Sequence, residues 1–394
     1  MPKMLFCWEQ GQGSGHILPF RDIILRLAEH DIKLVLAAQD VAIARSAVRS
    51  DRVRIIQAPF VRSPRREWVK GCATFNQVML SLGYHNAISC RALLQCWIEL
   101  IRSECPSIVV TDFAPSAVIA SHVLGFEFAR IGTGYTVPPC NERISTMKFA
   151  SAVAIKRIES DEEKVNSRVS NALHELGFDA FPTLSQCYQK SSADILRTVQ
   201  QFDHYSRRES GGHYVGAWSS SKQTRLPPTG EGPIRIFAYL KPFPNLRPFL
   251  QAIAQISSSF VVCADGIEDD DRRVDSSVPI KFVDDKVDLS SLSSAFDLVI
   301  TNGNQNTTLH SVLSGVPVGV VSLHEEQAIT GRIVKSLGIG TWVRSQSPEC
   351  FDAFASELSR AVLQRQTTMD FSRSIAVPGD PVTTCVDILL SAIR

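Results

Sequence analysis

The sequence predicts an α/β protein built from two doubly wound, Rossmann-like units, each with its own parallel sheet. Short apolar runs rich in β-branched residues alternate with segments of helical period along most of the chain. The alternation stops once, at a stretch rich in Ser, Pro and Gly, and then starts again. A chain of 394 residues is also long enough for two domains of ordinary size.

The first unit, residues 1–218, begins with a strand and an amphipathic helix. From Ile17 to Leu27 apolar side chains recur at steps of three and four residues, so one face of this helix should pack on a sheet. The predicted strands of this unit are Lys3–Trp8, Lys33–Ala37, Val53–Gln57, Ile108–Thr111 and Phe128–Ile131.

The second unit, residues 234–379, follows a predicted linker at 219–233, which has several turn formers and no apolar period. A helix is predicted around Phe249–Ile256. The predicted strands are Ile234–Tyr239, Phe260–Cys263, Ile280–Val283, Leu298–Thr301 and Val316–Val321.

Composition argues against several classes of function. The 41 Lys and Arg residues nearly balance the 40 Asp and Glu residues, so we expect neither nucleic acid nor an anionic membrane as a partner. The longest apolar run, Val316–Leu323, is far shorter than the roughly 20 residues of a membrane-spanning helix. The N-terminal strand turns polar at Glu9, before the apolar core of a secretion signal could form, so we expect no such signal. The ten cysteines show no zinc-knuckle or redox spacing, which favours reduced thiols in a cytoplasmic protein.

The acidic run Glu268–Asp271 is the one segment that suggests a metal site. It is followed directly by Arg272 and Arg273, which favours a solvated turn. We therefore expect no metal.

The first segment with chemical potential is 11–19, between the first strand and the first helix. Its glycines permit a tight turn and leave room for a ligand, and His16 lies at the carboxyl edge of the sheet, where open α/β folds bind ligands. The spacing differs from the dinucleotide fingerprint, because the third glycine position counted from Gly11 is His16. Asp40, after the second strand, leaves a ribose-binding acid and a dehydrogenase as an alternative.

Asp112 follows the strand that starts at Ile108, and this strand should end at the same edge as the first. A carboxylate bonded to one imidazole nitrogen fixes the tautomer and makes the other nitrogen a competent base, so His16 and Asp112 predict a general-base pair. The alternative is that Asp112 caps a helix beginning near Pro115.

The third segment runs from Asp297 to Pro317 as a strand, a polar turn and a helix, whose first residues are predicted to be Asn306, Thr307 and Thr308. Backbone donors, the positive end of the helix dipole and two hydroxyls would meet there, which suits a diphosphate.

Residues 306–317, with the sequence NTTLHSVLSGVP, resemble the donor-binding signature of the UDP-glycosyltransferases and of the bacterial macrolide and glycopeptide glycosyltransferases. Glu325-Glu326-Gln327 and the segment that follows to Gly340 are similar to the acidic-Gln pair and trailing helix of that family. Gly15-His16 with Pro19 resembles its N-terminal motif, which holds the catalytic histidine. Asp112 lies where the carboxylate partner of that histidine usually falls in the family. Together these four segments span residues 11–340.

The resemblance implies the GT-B architecture, in which the first of two facing Rossmann-like domains binds the acceptor and the second binds the sugar nucleotide. The terminal helix, 380–394, would pack back on the first domain. The implied activity is natural-product glycosylation by an inverting, metal-independent hexosyltransferase without a cofactor. It would move a sugar from a UDP- or dTDP-linked donor to a hydroxyl of a small lipophilic acceptor, with His16 as base and Asp112 orienting it.

The resemblance also implies the donor site. Glu326 and Gln327 would bind sugar hydroxyls, and Lys241 could supply the charge that is lost because Asn302 replaces a histidine of the family. His310 stands where plant members place a ribose-binding Glu. The full set is Gly15, Lys241, Asn302, Gly303, Asn306, Thr307, Thr308, His310, His324, Glu326 and Gln327.

The acceptor site is the least determined. Irregular segments that would border it contain Trp68, Phe75 and Tyr135, which favour an apolar or aromatic acceptor. Two alternatives keep the same architecture: a sugar-nucleotide epimerase and a catalytically altered sugar-nucleotide binder. A third, transfer to a membrane glycan, is disfavoured by the absence of a basic patch. The sugar, base, acceptor and oligomeric state stay open.

Overall fold

The structure is a computed structural model that describes most of the chain. The described residues are 1–11, 15–61, 71–139, 143–179, 183–206, 208, 211–218, 232–284, 287–289, 292–362, 365–376 and 379–393. The chain divides into two compact units, 1–218 with 378–394 and 219–377. Among the described helices, none has the length and apolar character needed to cross a bilayer.

The first unit is a parallel sheet flanked by helices. Its strands are β1 (Lys3–Trp8), β2 (Lys33–Ala38), β3 (Val53–Gln57), β4 (Ile108–Asp112), β5 (Phe128–Gly132), β6 (Ala193–Leu196) and β7 (His213–Tyr214). Its helices are α1 (Ile17–Leu27), α2 (Val41–Ala47), α3 (Phe75–Met79), α4 (Ala87–Glu104), α5 (Pro115–Leu124), α6 (Ala152–Ile155), α7 (Ile158–Glu175) and α8 (Leu184–Tyr188), with a π-helical turn at Leu80–Tyr84 and a 3-10 turn at Gln200–Phe202.

The strand order is β3-β2-β1-β4-β5-β6-β7, and every pairing is parallel. The winding reverses between β1 and β4, which lie side by side with Trp8 opposite Asp112. The five strands predicted in this unit are present, three of them one residue longer than predicted. Strands β6 and β7 were not predicted, because they contain four and two residues and show no clear apolar period.

The second unit repeats this design. Its strands are β8 (Arg235–Leu240), β9 (Ser259–Ala264), β10 (Ile280–Val283), β11 (Leu298–Thr301), β12 (Val318–Ser322) and β13 (Gly340–Arg344). Its helices are α9 (Leu246–Ala254), α10 (Asp269–Arg272), α11 (Leu292–Ala295), α12 (Gln305–Leu313), α13 (Glu325–Ser336), α14 (Phe351–Ala361) and α15 (Arg365–Ser374), with a 3-10 turn at Pro348–Cys350.

The order β10-β9-β8-β11-β12-β13 is again all parallel, with its reversal between β8 and β11. Strand β13 was not predicted, because the family resemblance places its first residue, Gly340, in the segment of the trailing helix. Strand β12 starts two residues later than predicted, after Pro317. The predicted fold class, an α/β protein with two doubly wound sheets, is confirmed.

The last helix, α16 (Pro381–Ala392), belongs to the first unit. Its apolar side packs against α1, and Cys385, Val386 and Leu389 are buried in the same core as Ile23 and Ile24. Full burial of a side chain such as Leu389 contributes about 2 kcal/mol relative to exposure.

Candidate functional site

The point where the first sheet reverses its winding brings together the residues of the predicted general-base pair. His16 Nδ1 lies 3.0 Å from Asp112 Oδ1. The Asp112 side chain is fully buried, whereas 19% of the His16 side chain is exposed. Because β1 and β4 are adjacent, the loop after β1 and the end of β4 open at the same edge of the sheet. Nε2 is therefore the imidazole nitrogen left to meet a ligand.

The structure contradicts the alternative role of Asp112 as a helix cap. Helix α5 begins at Pro115, and Ala114 occupies the cap position. The first-turn N–H of Ser116 is instead bound by Glu9, whose Oε2 accepts at 2.9 Å. Asp40, the possible ribose-binding acid, caps α2 by accepting from the Ile43 N–H at 2.9 Å.

Arg197 is a member of this cluster that the sequence analysis missed. Its Nη2 donates to Asp112 Oδ2 at 3.0 Å, and its Nη1 donates to the carbonyl of Gly15 at 3.4 Å. Arg197 directly follows β6, so it reaches the same sheet edge. The sequence signal that could have identified Arg197 is the short strand that precedes it.

Two aromatic rings and a glycine hold the imidazole in place. Trp8 stacks on His16 with ring centroids 6.0 Å apart, and Phe113 lies at the same distance with a tilt of 36°. Phe113 has a φ of 48°, a left-handed conformation that is uncommon outside glycine. Gly11 has a φ of +90°, and a Cβ there would lie 2.3 Å from His16 Nε2, so only glycine lets the ring sit where it does.

Glu9 is a buried carboxyl beside this cluster. It accepts hydrogen bonds from the N–H and hydroxyl of Ser116, and that hydroxyl lies 2.6 Å from the Tyr84 hydroxyl. Burial raises the pKa of Glu9 to about 7, although the bonds from Ser116 and Gln10 oppose the shift. Glu9 thus ties the end of β1 to the start of α5.

The reversal point of the second sheet is closed by Asn302, which directly follows β11. Its Oδ1 accepts from the backbone N–H of Lys241 at 2.6 Å, and its Nδ2 donates to the carbonyl of Val321 at 3.1 Å. Only 2% of Asn302 is exposed. The carboxamide therefore joins the ends of β8, β11 and β12.

Helix α12 begins one residue earlier than predicted, with Asn304 as its cap: Asn304 Oδ1 accepts from the Thr307 N–H at 3.0 Å. The hydroxyls of Thr301 and Thr308 are 3.1 Å apart, and Thr301 also accepts from the Gly303 N–H at 2.8 Å. Thr308 is fully buried and Thr307 is 8% exposed, while Asn306 is exposed on the first turn. Hydrogen bonds among its own residues and the first turn of α12 therefore hold this polar turn in place.

Lys241 brings a positive charge to this edge. Its side chain is 46% exposed, and Nζ lies 3.9 Å from Asp265 Oδ2, which also accepts from the Tyr239 hydroxyl at 2.7 Å. His324, the residue just before α13, is exposed. Desolvation lowers the pKa of His324, and the Lys241 ammonium lowers it further, against the effect of the carboxylates on α13.

The acidic-Gln segment lies at the start of α13. Gln327 is 8% exposed, and its Oε1 accepts from the Leu323 N–H at 2.8 Å. Glu325 pairs with Arg332 at 3.5 Å and with Arg344 at 3.3 Å. Glu326 is half-buried, as is His310 on α12.

The three aromatic residues predicted for the acceptor differ in their surroundings. Trp68 lies outside the described residues. Phe75 is 1% exposed and packs on Phe113, with ring centroids 6.2 Å apart. Tyr135 is 9% exposed and meets His204 edge to face. Across the described ranges, no three His, Cys, Asp or Glu residues are grouped so as to hold a metal ion.

Solved structures of glycosyltransferases share this fold over their whole length. CalG4, the calicheamicin glycosyltransferase, superposes with a TM-score of 0.68 at 17% identity, covering 100% of this chain and 98% of that chain. The glycotransferase of kitacinnamycin gives 0.66 at 13% identity, with 100% of both chains covered. VinC, solved in complex with dTDP, gives 0.63 at 12% identity, covering 100% of this chain and 99% of that chain.

No protein-family model matches the chain, and a search of the curated proteins found no match. The likenesses in structure define the class of fold: two Rossmann-like units on one chain, with the topology of glycosyltransferases. The chain therefore has the GT-B fold, as its resemblance to that family implied.

Proposed function

We propose that this protein is an inverting glycosyltransferase that moves a sugar from a nucleoside diphosphate to a hydroxyl of a small lipophilic acceptor. The observation that carries the proposal is the His16–Asp112 pair, bonded at 3.0 Å at the reversal point of the first sheet. The fold shared with CalG4 and VinC supports the same activity, since both of those proteins are glycosyltransferases and VinC was solved with dTDP.

In this mechanism His16 is the general base. Its Nδ1–H donates to Asp112, so Nε2 carries the lone pair that takes the proton of the acceptor hydroxyl. The acceptor oxygen forms a bond to the anomeric carbon while the bond from that carbon to the diphosphate oxygen breaks. The electron pair of the broken bond leaves with the diphosphate, and attack opposite to it inverts the anomeric centre.

The second unit would stabilise the leaving diphosphate. The N-terminus of α12 offers the positive end of a nine-residue helix, and the Thr307 hydroxyl lies on its first turn. Asn302 brings no charge, so the exposed Lys241 ammonium is the cation we assign to the diphosphate. Glu326 and Gln327 are proposed to bind the sugar.

The first experiment measures donor binding. Calorimetric titration with UDP, dTDP and other nucleoside diphosphates, with and without a sugar, should show one preferred nucleotide. Thr307→Ala should weaken that binding about tenfold, the lower end of the value of one lost hydrogen bond to a charged ligand. Absence of binding by every nucleotide would overturn the proposed function.

The second experiment measures transfer with the preferred donor and a panel of hydroxylated lipophilic acceptors, by release of the nucleoside diphosphate and by product mass. His16→Ala should lower kcat by about 10²- to 10⁴-fold, the usual contribution of a general base, and leave donor binding unchanged. His30→Ala, at an exposed position just after α1, is the matched control and should keep full activity. A His16→Ala protein that binds donor and transfers at the wild-type rate would contradict the assignment of the base. A wild type that binds donor but transfers sugar to no acceptor would favour the alternative function, a catalytically altered sugar-nucleotide binder.

A further inference from the structure

Arg197 contacts Asp112 and the residue before His16 but takes no part in the proton transfer just described. One guanidinium nitrogen bonds the Asp112 carboxylate at 3.0 Å, and another bonds the carbonyl of Gly15, the residue before His16, at 3.4 Å. We propose that Arg197 is a positioning residue that keeps His16 unprotonated near neutral pH by neutralising Asp112. This inference rests on the proposed function, because it concerns the same site.

The burial of Asp112 gives the reason. Its side chain has no exposed surface, and an ionised carboxylate in such a place needs a cation or several hydrogen bonds. Oδ1 faces the imidazole and Oδ2 faces the guanidinium, which is itself only 9% exposed. With Arg197 in place the carboxylate is already neutralised, so His16 can stay neutral and accept a proton. Without Arg197, His16 would compensate Asp112 by taking a proton, and a protonated imidazole is no base.

The position of Arg197 is fixed independently of its charge. Its backbone N–H donates to the carbonyl of Gly132, at the end of β5, at 2.8 Å. The guanidinium therefore starts from a rigid strand end and reaches the loop after β1 and the end of β4. This geometry suits a clamp, because one side chain holds the turn that carries His16 and the carboxylate that orients it.

Other charged or titratable groups on the described elements next to the clamp can be accounted for separately. On α1, Arg21 and Asp22 pair with each other. On α16, Asp380 caps the helix through the Thr383 N–H, and burial raises the pKa of the Cys385 thiol to about 12, an effect that Arg197 opposes. Glu9 is bonded to Ser116. Within the described residues, the side-chain hydrogen bonds to Asp112 come from His16 and Arg197 alone.

The test is the pH dependence of transfer in Arg197→Met and Arg197→Lys. The acid limb of the Arg197→Met profile should move up by about one to two pH units, as expected for loss of one nearby charge, and kcat/KM at pH 7 should therefore fall by about 2- to 30-fold. Much of its activity should return near pH 9. Arg197→Lys keeps the charge and should keep the position of the limb. A loss in Arg197→Met that is the same at every pH would overturn the proposal and indicate a merely structural role.

A second readout needs no turnover. In histidine-¹⁵N-labelled protein at pH 7, with the His16 signals assigned through His16→Gln, the wild type should show one proton on the ring, at Nδ1. Arg197→Met should show both nitrogens protonated, and Arg197→Lys should match the wild type. If the wild type transfers no sugar but these spectra behave as stated, the proposed function fails and the clamp stands. A doubly protonated His16 in the wild type would overturn the clamp even if Arg197→Met does not fold.

Arg235→Met is the control for the loss of an arginine–aspartate pair. Arg235 makes a two-pronged bond to Asp297 in the second unit, at 2.9 and 3.1 Å. Its removal should lower stability without moving the acid limb or the His16 spectrum. A shift of the limb in Arg235→Met equal to that in Arg197→Met would assign the effect to general destabilisation.

Discussion

The reversal points of the two sheets have the same arrangement of strands, but the buried polar residue is a carboxylate in one and a neutral carboxamide in the other. In each unit the first strand lies beside the fourth, and a buried polar residue stands at the end of that fourth strand. In the first unit this residue is Asp112, which bonds the side chains of His16 and Arg197. In the second it is Asn302, whose hydrogen-bond partners among the described residues are backbone groups, those of Lys241 and Val321. The winding thus fixes where a site can form, and one side chain decides whether the site is charged.

The difference follows from what each side chain can bond. A carboxylate only accepts, so a buried one needs cationic donors, and the first unit supplies an imidazole and a guanidinium. A carboxamide both donates and accepts, so Asn302 can join a backbone N–H to a backbone carbonyl without charge. The family resemblance indicated only that Asn302 replaces a histidine and so lacks its charge. Its two hydrogen bonds join backbone groups at the ends of β8 and β12, which is why the proposed function assigns the positive charge to Lys241.

The largest effect on stability is expected when a buried carboxylate like that of the first reversal point is introduced into the second. Asn302→Asp keeps the shape but puts a buried carboxylate against the Val321 carbonyl, with no cation bonded to it. We expect the second unit to lose about 4 kcal/mol of unfolding free energy, the usual cost of an uncompensated buried charge. Hydrogen exchange of peptides from 235–344, compared with peptides from the first unit, measures the loss separately for each unit.

Asn304→Asp is the matched control for that substitution. Asn304 caps α12, where an aspartate caps equally well and gains from the helix dipole. Its hydrogen exchange should therefore match the wild type or be slightly slower. Equal stability of Asn302→Asp and Asn304→Asp would show that the second edge tolerates charge, and the contrast between the two reversal points would fail.

A smaller effect is expected from the residues that directly follow the first strand of each sheet, Glu9 and Lys241. Lys241 is half-exposed, but Glu9 is fully buried, and its pKa is raised by that burial to about 7. Because folded Glu9 keeps its proton to higher pH than unfolded Glu9, unfolding free energy should fall as pH rises from about 4.5 to about 7. The fall is about 3 kcal/mol at most. Carboxyls with lowered pKa, such as Asp203 and Asp297, act below about pH 4 and lie outside this window.

Chemical denaturation of the wild type and Glu9→Gln at pH 5 and pH 8 measures this effect. The wild type should be less stable at pH 8 than at pH 5, and Glu9→Gln should lose most of that difference, because glutamine does not titrate. Glu29→Gln, at an exposed position after α1, should keep the wild-type dependence. If the dependence survives in Glu9→Gln, another group is responsible.

The sequence predicts which side chains meet at these two edges only where each of them follows a strand that can itself be predicted. His16 and Asp112 could be paired in advance, because both follow predicted strands that end at one edge. Arg197 could not, because β6 has only four residues and gives a weak signal. The bonds of Asn302 depend on which strands flank β11, a fact of topology and not of local sequence. A charged residue just after a strand, such as Glu9, is typical of an exposed loop. Glu9 is buried instead, because its carboxyl accepts a hydrogen bond from the first turn of α5.

The last prediction compares the two glycines that bring backbone close to each edge. At Gly11 a Cβ would lie 2.3 Å from His16 Nε2, whereas at Gly303 it would lie 2.8 Å from the Gln327 carbonyl oxygen. Gly11→Ala should therefore displace the imidazole and lower kcat about 100-fold, the cost of a misplacement near 1 Å, with the donor KM unchanged. Gly303→Ala should instead disturb the second edge and raise the donor KM. Steady-state kinetics in both substrates separates the two.

Gly177→Ala isolates the cost of backbone strain from the cost of the contact. Gly177 has a φ of +80°, close to that of Gly11, but a Cβ there would meet nothing within 4 Å. It should lose about 1 kcal/mol of stability from strain and keep full kcat. A Gly11→Ala protein with the kinetics of Gly177→Ala would mean that His16 can move without loss of transfer. In that case the narrow space over Gly11 would not be what holds the base in position, and the two aromatic rings, Asp112 and Arg197 would have to do so.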